Sequence, residues 1–156
     1  RREWPAGVRV RAVLPLAPVK FDDPEGENND TLLTDIPVGV VTSECDGAVG
    51  EAGQQYLDDV EGRTHAPAYS LSLTAANHNY FNTRWTPPAP LSEDDSTCSK
   101  RELSPARQQG ALVQYATAFY ERFLHNDRRF EGVLTGRTPL TGVDSTARTV
   151  TPVRTR

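Results

Sequence analysis

Two side chains suited to moving a proton stand at the mouths of successive apolar runs. Asp46 lies in Cys45-Asp46-Gly47, directly after the β-branched run at residues 36–43. His78 lies in Ala75-Ala76-Asn77-His78-Asn79-Tyr80-Phe81-Asn82, after an alternating run at residues 69–73. A histidine that takes the proton of a serine hydroxyl needs an acid on its other ring nitrogen, to fix the tautomer and stabilise the imidazolium. The two residues are 32 positions apart, room for one helix and one strand. The nucleophile of such chemistry commonly sits in a strained Gly-x-Ser-x-Gly turn. None of the serines, at 43, 70, 72, 92, 96, 99, 104 and 145, has glycines two residues to either side.

The elements that must position this pair follow from periodicity. Val8, Val10, Ala12, Leu14 and Leu16 alternate with other residues in a strand pattern that Pro15 and Pro18 bring to an end. Residues 19–35 are rich in Asp, Asn, Pro and Gly and predict a surface loop. Ile-Pro-Val-Gly-Val-Val-Thr-Ser at residues 36–43 reads as a buried strand of a parallel sheet. Val49, Ala52, Tyr56, Leu57 and Val60 then share one helical face, and Tyr69, Leu71 and Leu73 form a further strand. Residues 85–103, carrying Pro87-Pro88 and Glu93-Asp94-Asp95, predict a long loop beside the site.

Ser104-Pro105 is a cap followed by a first-turn proline, and it opens a helix with Leu112, Val113, Ala116, Phe119, Tyr120, Phe123 and Leu124 on one apolar face. Tyr115 also belongs to the expected core stripe, and His125-Asn126 is the expected stop. From about Gly132 the chain becomes rich in Thr, Arg and Gly, with one short edge strand conceivable from Ala147 to Val153. The order is that of a βαβ unit, in which ligands sit beyond the carboxyl ends of the strands. Asp46 and His78 both fall there.

Each of these residues also has a plainer role. Asp46-Gly47 is a good turn whose aspartate can bond its own backbone, and His78 could be a loop histidine satisfied by Asn77 and Asn79. Asp22 and Asp23 are rival acids after the first strand. His65 and His125 read as structural, the latter at a helix end where a cation suits the dipole. A metal held by Asp46, His78 and Glu93-Asp94-Asp95 lacks any ligand spacing, so no metal is expected. Tyr80, Phe81 and Trp85 could wall a substrate pocket or simply pack.

Composition narrows the classes further. A net charge of −4, with 15 Arg scattered rather than striped, gives no nucleic-acid footprint. No apolar run approaches the roughly 20 residues of a membrane span. Cys45 and Cys98 permit one disulfide, with two buried thiols as the alternative. A bridge would tie the acid loop to the loop after the histidine and would require an oxidising compartment.

The segments VRAVLPLAP, IPVGVVTSECDGAVG and TAANHNYFNTRWTP, with the helix SPARQQGALVQYATAFYERFL, resemble the final part of a bacterial secreted α/β-hydrolase family over about residues 8–126. The resemblance implies an α/β fold in which parallel strands carry covering helices and the N-terminal half is absent. Residues 1–130 would then be the C-terminal part of that domain, and residues 131–156, which lack sustained periodicity, read as a tail or linker. Asp46 of the CDG motif would be the triad acid and His78 of the ANHN motif the triad base, with the serine upstream of Arg1. Ester or lipid-like substrates, an extracellular location and no cofactor are further implications. The chain alone would then be inactive, and its partner would be the missing half of its own domain. A non-catalytic α/β module that binds a ligand or partner is the rival expectation, since the sequence carries no recognisable nucleophile.

Overall fold

The computed structural model describes residues 7–19, 36–50, 52–60, 66–83, 98 and 102–150. Two strands, β1 (Val38–Ser43) and β2 (Ala68–Leu73), pair in parallel and are connected through helix α1 (Ala52–Val60). After β2 come a short 3-10 turn (Asn79–Phe81), the long helix α2 (Pro105–Leu124), a single-turn helix α3 (Glu131–Leu134) and strand β3 (Ser145–Val150). The sheet order is β1-β2-β3. The fold is mixed α/β.

The period of two in β1 and β2 sends alternate residues to opposite faces. On one face Val38, Val40 and Ala68 pack with Leu57 of α1 and Val150 of β3. On the other, Val41, Tyr69, Leu71 and Leu73 pack with Ala111, Tyr115, Ala118 and Phe119 of α2. Helices therefore cover both faces of the parallel pair, which explains why β1 reads as a continuous apolar run. Gly39 leaves no room for a side chain between β1 and its neighbours: a Cβ there would lie 2.7 Å from Leu14 Cδ1 and 3.0 Å from Phe119 Cε2.

Four expectations are revised. The first strand does not form a regular element over residues 8–16. It joins β1 only through the parallel bridges Val13↔Val38 and Leu16↔Val41. Hydrogen bonds run from Val13 N–H to Pro37 O, Gly39 N–H to Val13 O, Val41 N–H to Pro15 O and Ala17 N–H to Val41 O, at 2.8–3.0 Å. Pro15 has no N–H to give, so the ladder is broken at its centre.

The sheet is not wholly parallel either, because β3 pairs antiparallel to β2 from Ala68↔Val150 to Leu73↔Ser145. Residues 131–150, expected as tail or linker, thus supply an outer strand, and Leu134, Leu140 and Val150 are buried. The strand overlaps the short edge strand conceivable from Ala147 to Val153, although Thr and Arg on its exposed side leave no apolar run.

On α2 the buried seam is Gln108, Ala111, Tyr115, Ala118 and Phe119, whereas Val113, Tyr120 and Leu124 are exposed, Val113 by 63%. Apolar residues surround much of this helix, so periodicity alone does not choose the face. The small side chains of Ala111 and Ala118 let the helix lie close against the sheet. The predicted ends of α2 are seen: Ser104 Oγ accepts the Arg107 N–H, and the helix stops at His125, before Asn126 at φ 56°.

Candidate functional site

Beyond the carboxyl end of β1 the chain remains pinned to the end of β2, with Glu44 N–H donating to Leu73 O and Cys45 N–H to Ala76 O. Asp46, 4% exposed, follows this staple. Its Oδ1 accepts the N–H groups of Ala48 at 3.0 Å and Val49 at 2.8 Å, closing an aspartate turn. Its Oδ2 accepts the Ser43 hydroxyl at 3.1 Å and faces His78 Nδ1 at 2.9 Å.

Burial alone would push the Asp46 carboxyl up. The His78 hydrogen bond, the Val49 N–H, the charge of His78 and the Ser43 hydroxyl outweigh burial and hold it below its ordinary value of 3.8. Asp46 is therefore a carboxylate at neutral pH and can only accept, which places a proton on His78 Nδ1 and leaves Nε2 as the acceptor nitrogen of the neutral ring. The His78 side chain is 31% exposed.

His78 opens the 3-10 turn with helical backbone angles. Ala75, three residues earlier, is held at φ 55°, its N–H bonded to Glu44 Oε2 at 2.8 Å and its carbonyl taking the Leu103 N–H at 2.7 Å. A cavity of about 190 Å³ beside the imidazole is lined by Leu16, Ala17, Asn79, Phe81 and Asn82. Ala17 is also left-handed, at φ 41°. Backbone strain of this kind costs of order 1–3 kcal/mol and gathers at functional sites.

The structure thus brings together Asp46 and His78, the two residues singled out from the sequence. Phe81 lines the cavity as a pocket wall would; Tyr80 does not, and its carbonyl instead takes a hydrogen bond from Gln109. Cys45 and Cys98 are disulfide-bonded, Cα atoms 5.1 Å apart. Trp85, His65, Asp22, Asp23 and Glu93-Asp94-Asp95 lie outside the described residues. His125 is exposed at the end of α2, away from the pair. Among the described residues no three His, Cys, Asp or Glu side chains gather as a metal site would require. No described helix is long and apolar enough to cross a membrane.

Sequence reasoning missed Ser43, which stands three residues before Asp46 in a Ser-x-x-Asp pattern, and it missed the supports of the His78 loop on α2. No protein-family model matches the chain, and no curated protein matches it. What the fold and the geometry define is a class: a mixed α/β unit presenting a buried carboxylate against a partly exposed imidazole beyond the ends of its parallel strands.

Proposed function

We propose that this chain supplies the acid and the base of a serine hydrolase acting on carboxylic esters, small-molecule or lipid, with the serine contributed by sequence outside these 156 residues. The observation that carries the reading is the 2.9 Å contact between His78 Nδ1 and an Asp46 carboxylate already held by Ser43, Ala48 and Val49. In that role His78 Nε2 takes the proton of the attacking serine and returns it to the leaving alkoxide, while Asp46 stabilises the imidazolium between the two steps. The cavity lined by His78, Phe81 and Leu16 supports this reading as the space that part of the substrate would enter. The resemblance of the CDG and ANHN segments to secreted α/β-hydrolases supports the same roles, and the disulfide favours an oxidising, extracellular setting.

The test is ester turnover and fluorophosphonate labelling by the protein with its upstream sequence restored. Turnover is expected there, to be lost in His78→Ala, and the 156-residue chain alone should show none. Undiminished activity in His78→Ala would remove the histidine from the mechanism.

A second reading, a non-catalytic module that binds a small ligand in the same cavity, draws on the lack of any Gly-x-Ser-x-Gly in the chain. It prevails if the restored upstream sequence also lacks a nucleophile turn.

A further inference from the structure

We propose that Gln108 of α2 is a positioning residue for the base, its side-chain amide setting the peptide of Asn77 and so the direction from which His78 meets Asp46. The effect on turnover rests on the hydrolase reading; the effect on the Asp46–His78 contact does not.

Gln108 is 0% exposed and Asn77 4%. Gln108 Nε2 donates to Asn77 O at 2.7 Å, and Asn77 N–H donates to Gln108 Oε1 at 2.8 Å. One primary amide thus satisfies both main-chain groups of the residue before His78, as a neighbouring strand would. The pairing has only one sense: rotating the amide by half a turn would set NH₂ against N–H and oxygen against oxygen. Buried polar groups left in that state are costly, so the amide is fixed and fixes its partner in turn.

The adjacent residue continues the grip. Gln109 Nε2 lies 3.2 Å from Tyr80 O and 3.4 Å from Asn82 O, on the other side of the histidine. Asn77 Oδ1 accepts the Asn79 N–H at 2.9 Å, and Asn77 Nδ2 reaches Glu102 Oε2 at 3.3 Å. The start of α2 therefore holds the loop on both flanks of His78. The His78 ring is itself 31% exposed, so close packing of the ring is a weaker constraint on its direction than its backbone. A displacement of about 1 Å at a reacting group can cost on the order of 100-fold in rate.

A purely structural glutamine would satisfy the same buried groups, so the test needs a readout that stability does not move. Two observables serve: the downfield Nδ1–H resonance of His78 and the titration of the Asp46 carboxyl, both followed by NMR in the 156-residue chain. The variants are Gln108→Met, of equal length without polar atoms, and Gln108→Glu, which keeps the acceptor for Asn77 N–H. Leu140→Ala, a truncation in the core, is the stability control.

Gln108→Met is expected to lose the downfield resonance and to raise the Asp46 titration toward its ordinary range. Gln108→Glu should show a smaller change of the same sense. Leu140→Ala should keep both signals despite a comparable fall in Tm. In the protein carrying its serine, Gln108→Met should lower kcat about 10- to 100-fold with KM changed less than about twofold.

Unchanged His78 and Asp46 signals in a folded Gln108 variant would overturn the proposal, and so would their equal loss in Leu140→Ala. If Gln108→Met does not fold, Gln108→Glu decides by the same criteria. Absence of ester turnover in the restored wild-type protein would sink the hydrolase reading while leaving the NMR comparison to judge the clamp.

Discussion

Asp46 and His78 meet at 2.9 Å but are held there by different means. The acid is supported locally: Ser43, Ala48 and Val49 all lie within three residues of it. The base stands on a loop whose peptide groups are taken up by Leu103, Gln108 and Gln109, some 27–31 residues further along the chain. A turn can specify the position of the acid by itself. The base takes its position from contacts distant in the chain, with Glu44 and Cys45 on one side and α2 on the other, so its geometry depends on tertiary structure as well as on local sequence.

The largest expected effect tests whether the two halves work together at all. Asp46→Asn would offer an amide N–H to Nδ1 and force the imidazole proton onto Nε2. In the restored protein kcat should fall on the order of 10⁴-fold, as expected when an acid of this kind is replaced by its amide. Retention of more than a tenth of the activity would show that His78 does not need this partner.

The disulfide comes next, because it joins the acid side to the segment between the two halves of the base's support. Closing a loop of 53 residues' separation is worth about 4 kcal/mol in the chain-entropy account. Cys45→Ser with Cys98→Ser should lower the denaturation free energy by about that amount. Urea unfolding that matches the parent within 1 kcal/mol, a bound set by the usual 2–5 kcal/mol range, would deny the bridge a stabilising role.

Ser43→Ala removes one of the local supports alone, and a hydrogen bond to a charged group contributes about 1.5–3 kcal/mol. The sign against pH is fixed by the direction of the Asp46 shift. A carboxyl held below 3.8 in the folded state adds stability that is fully present above the unfolded value and is lost as the solution is acidified through the folded one. Acid unfolding should therefore begin at higher pH in Ser43→Ala than in the parent. Coincident acid transitions would show that Ala48 and Val49 suffice.

The smallest effect belongs to the base side. Left-handed backbone costs an alanine roughly 1–2 kcal/mol, and Ala75 lies at φ 55°. Ala75→Gly should stabilise by about 0.5–1 kcal/mol after the greater freedom of glycine in the unfolded chain is set against it. A loss of stability would mean that the Ala75 methyl makes contacts worth more than the strain.

The same contrast governs what could be read in the sequence. Asp46-Gly47 at the end of a β-branched run is legible because strand, turn and carboxylate are adjacent. His78 is legible as a candidate for the same reason. Gln108 is not: a glutamine in the first turn of an amphipathic helix looks like a solvated residue until the buried face is known, and the sequence suggests the face containing Val113 and Leu124. The alternation in β2 was visible, while β3, with Arg148 and Thr149 on an exposed edge, offered no apolar period and was legible only as a conceivable edge strand from Ala147 to Val153, which overlaps the observed Ser145–Val150. Pro15 reads as a strand end, yet pairing with β1 runs on through the Pro15 carbonyl to Ala17.

The bridge between Cys45 and Cys98 has a topological result as well. Asp46 and His78 both lie inside the covalent ring it closes, one beside its first cysteine and the other twenty residues before its second. A protease that cuts once anywhere between them opens the ring without releasing either piece. The nicked protein would migrate as one species until a reductant is added, with acid and base still tethered to each other through sulfur.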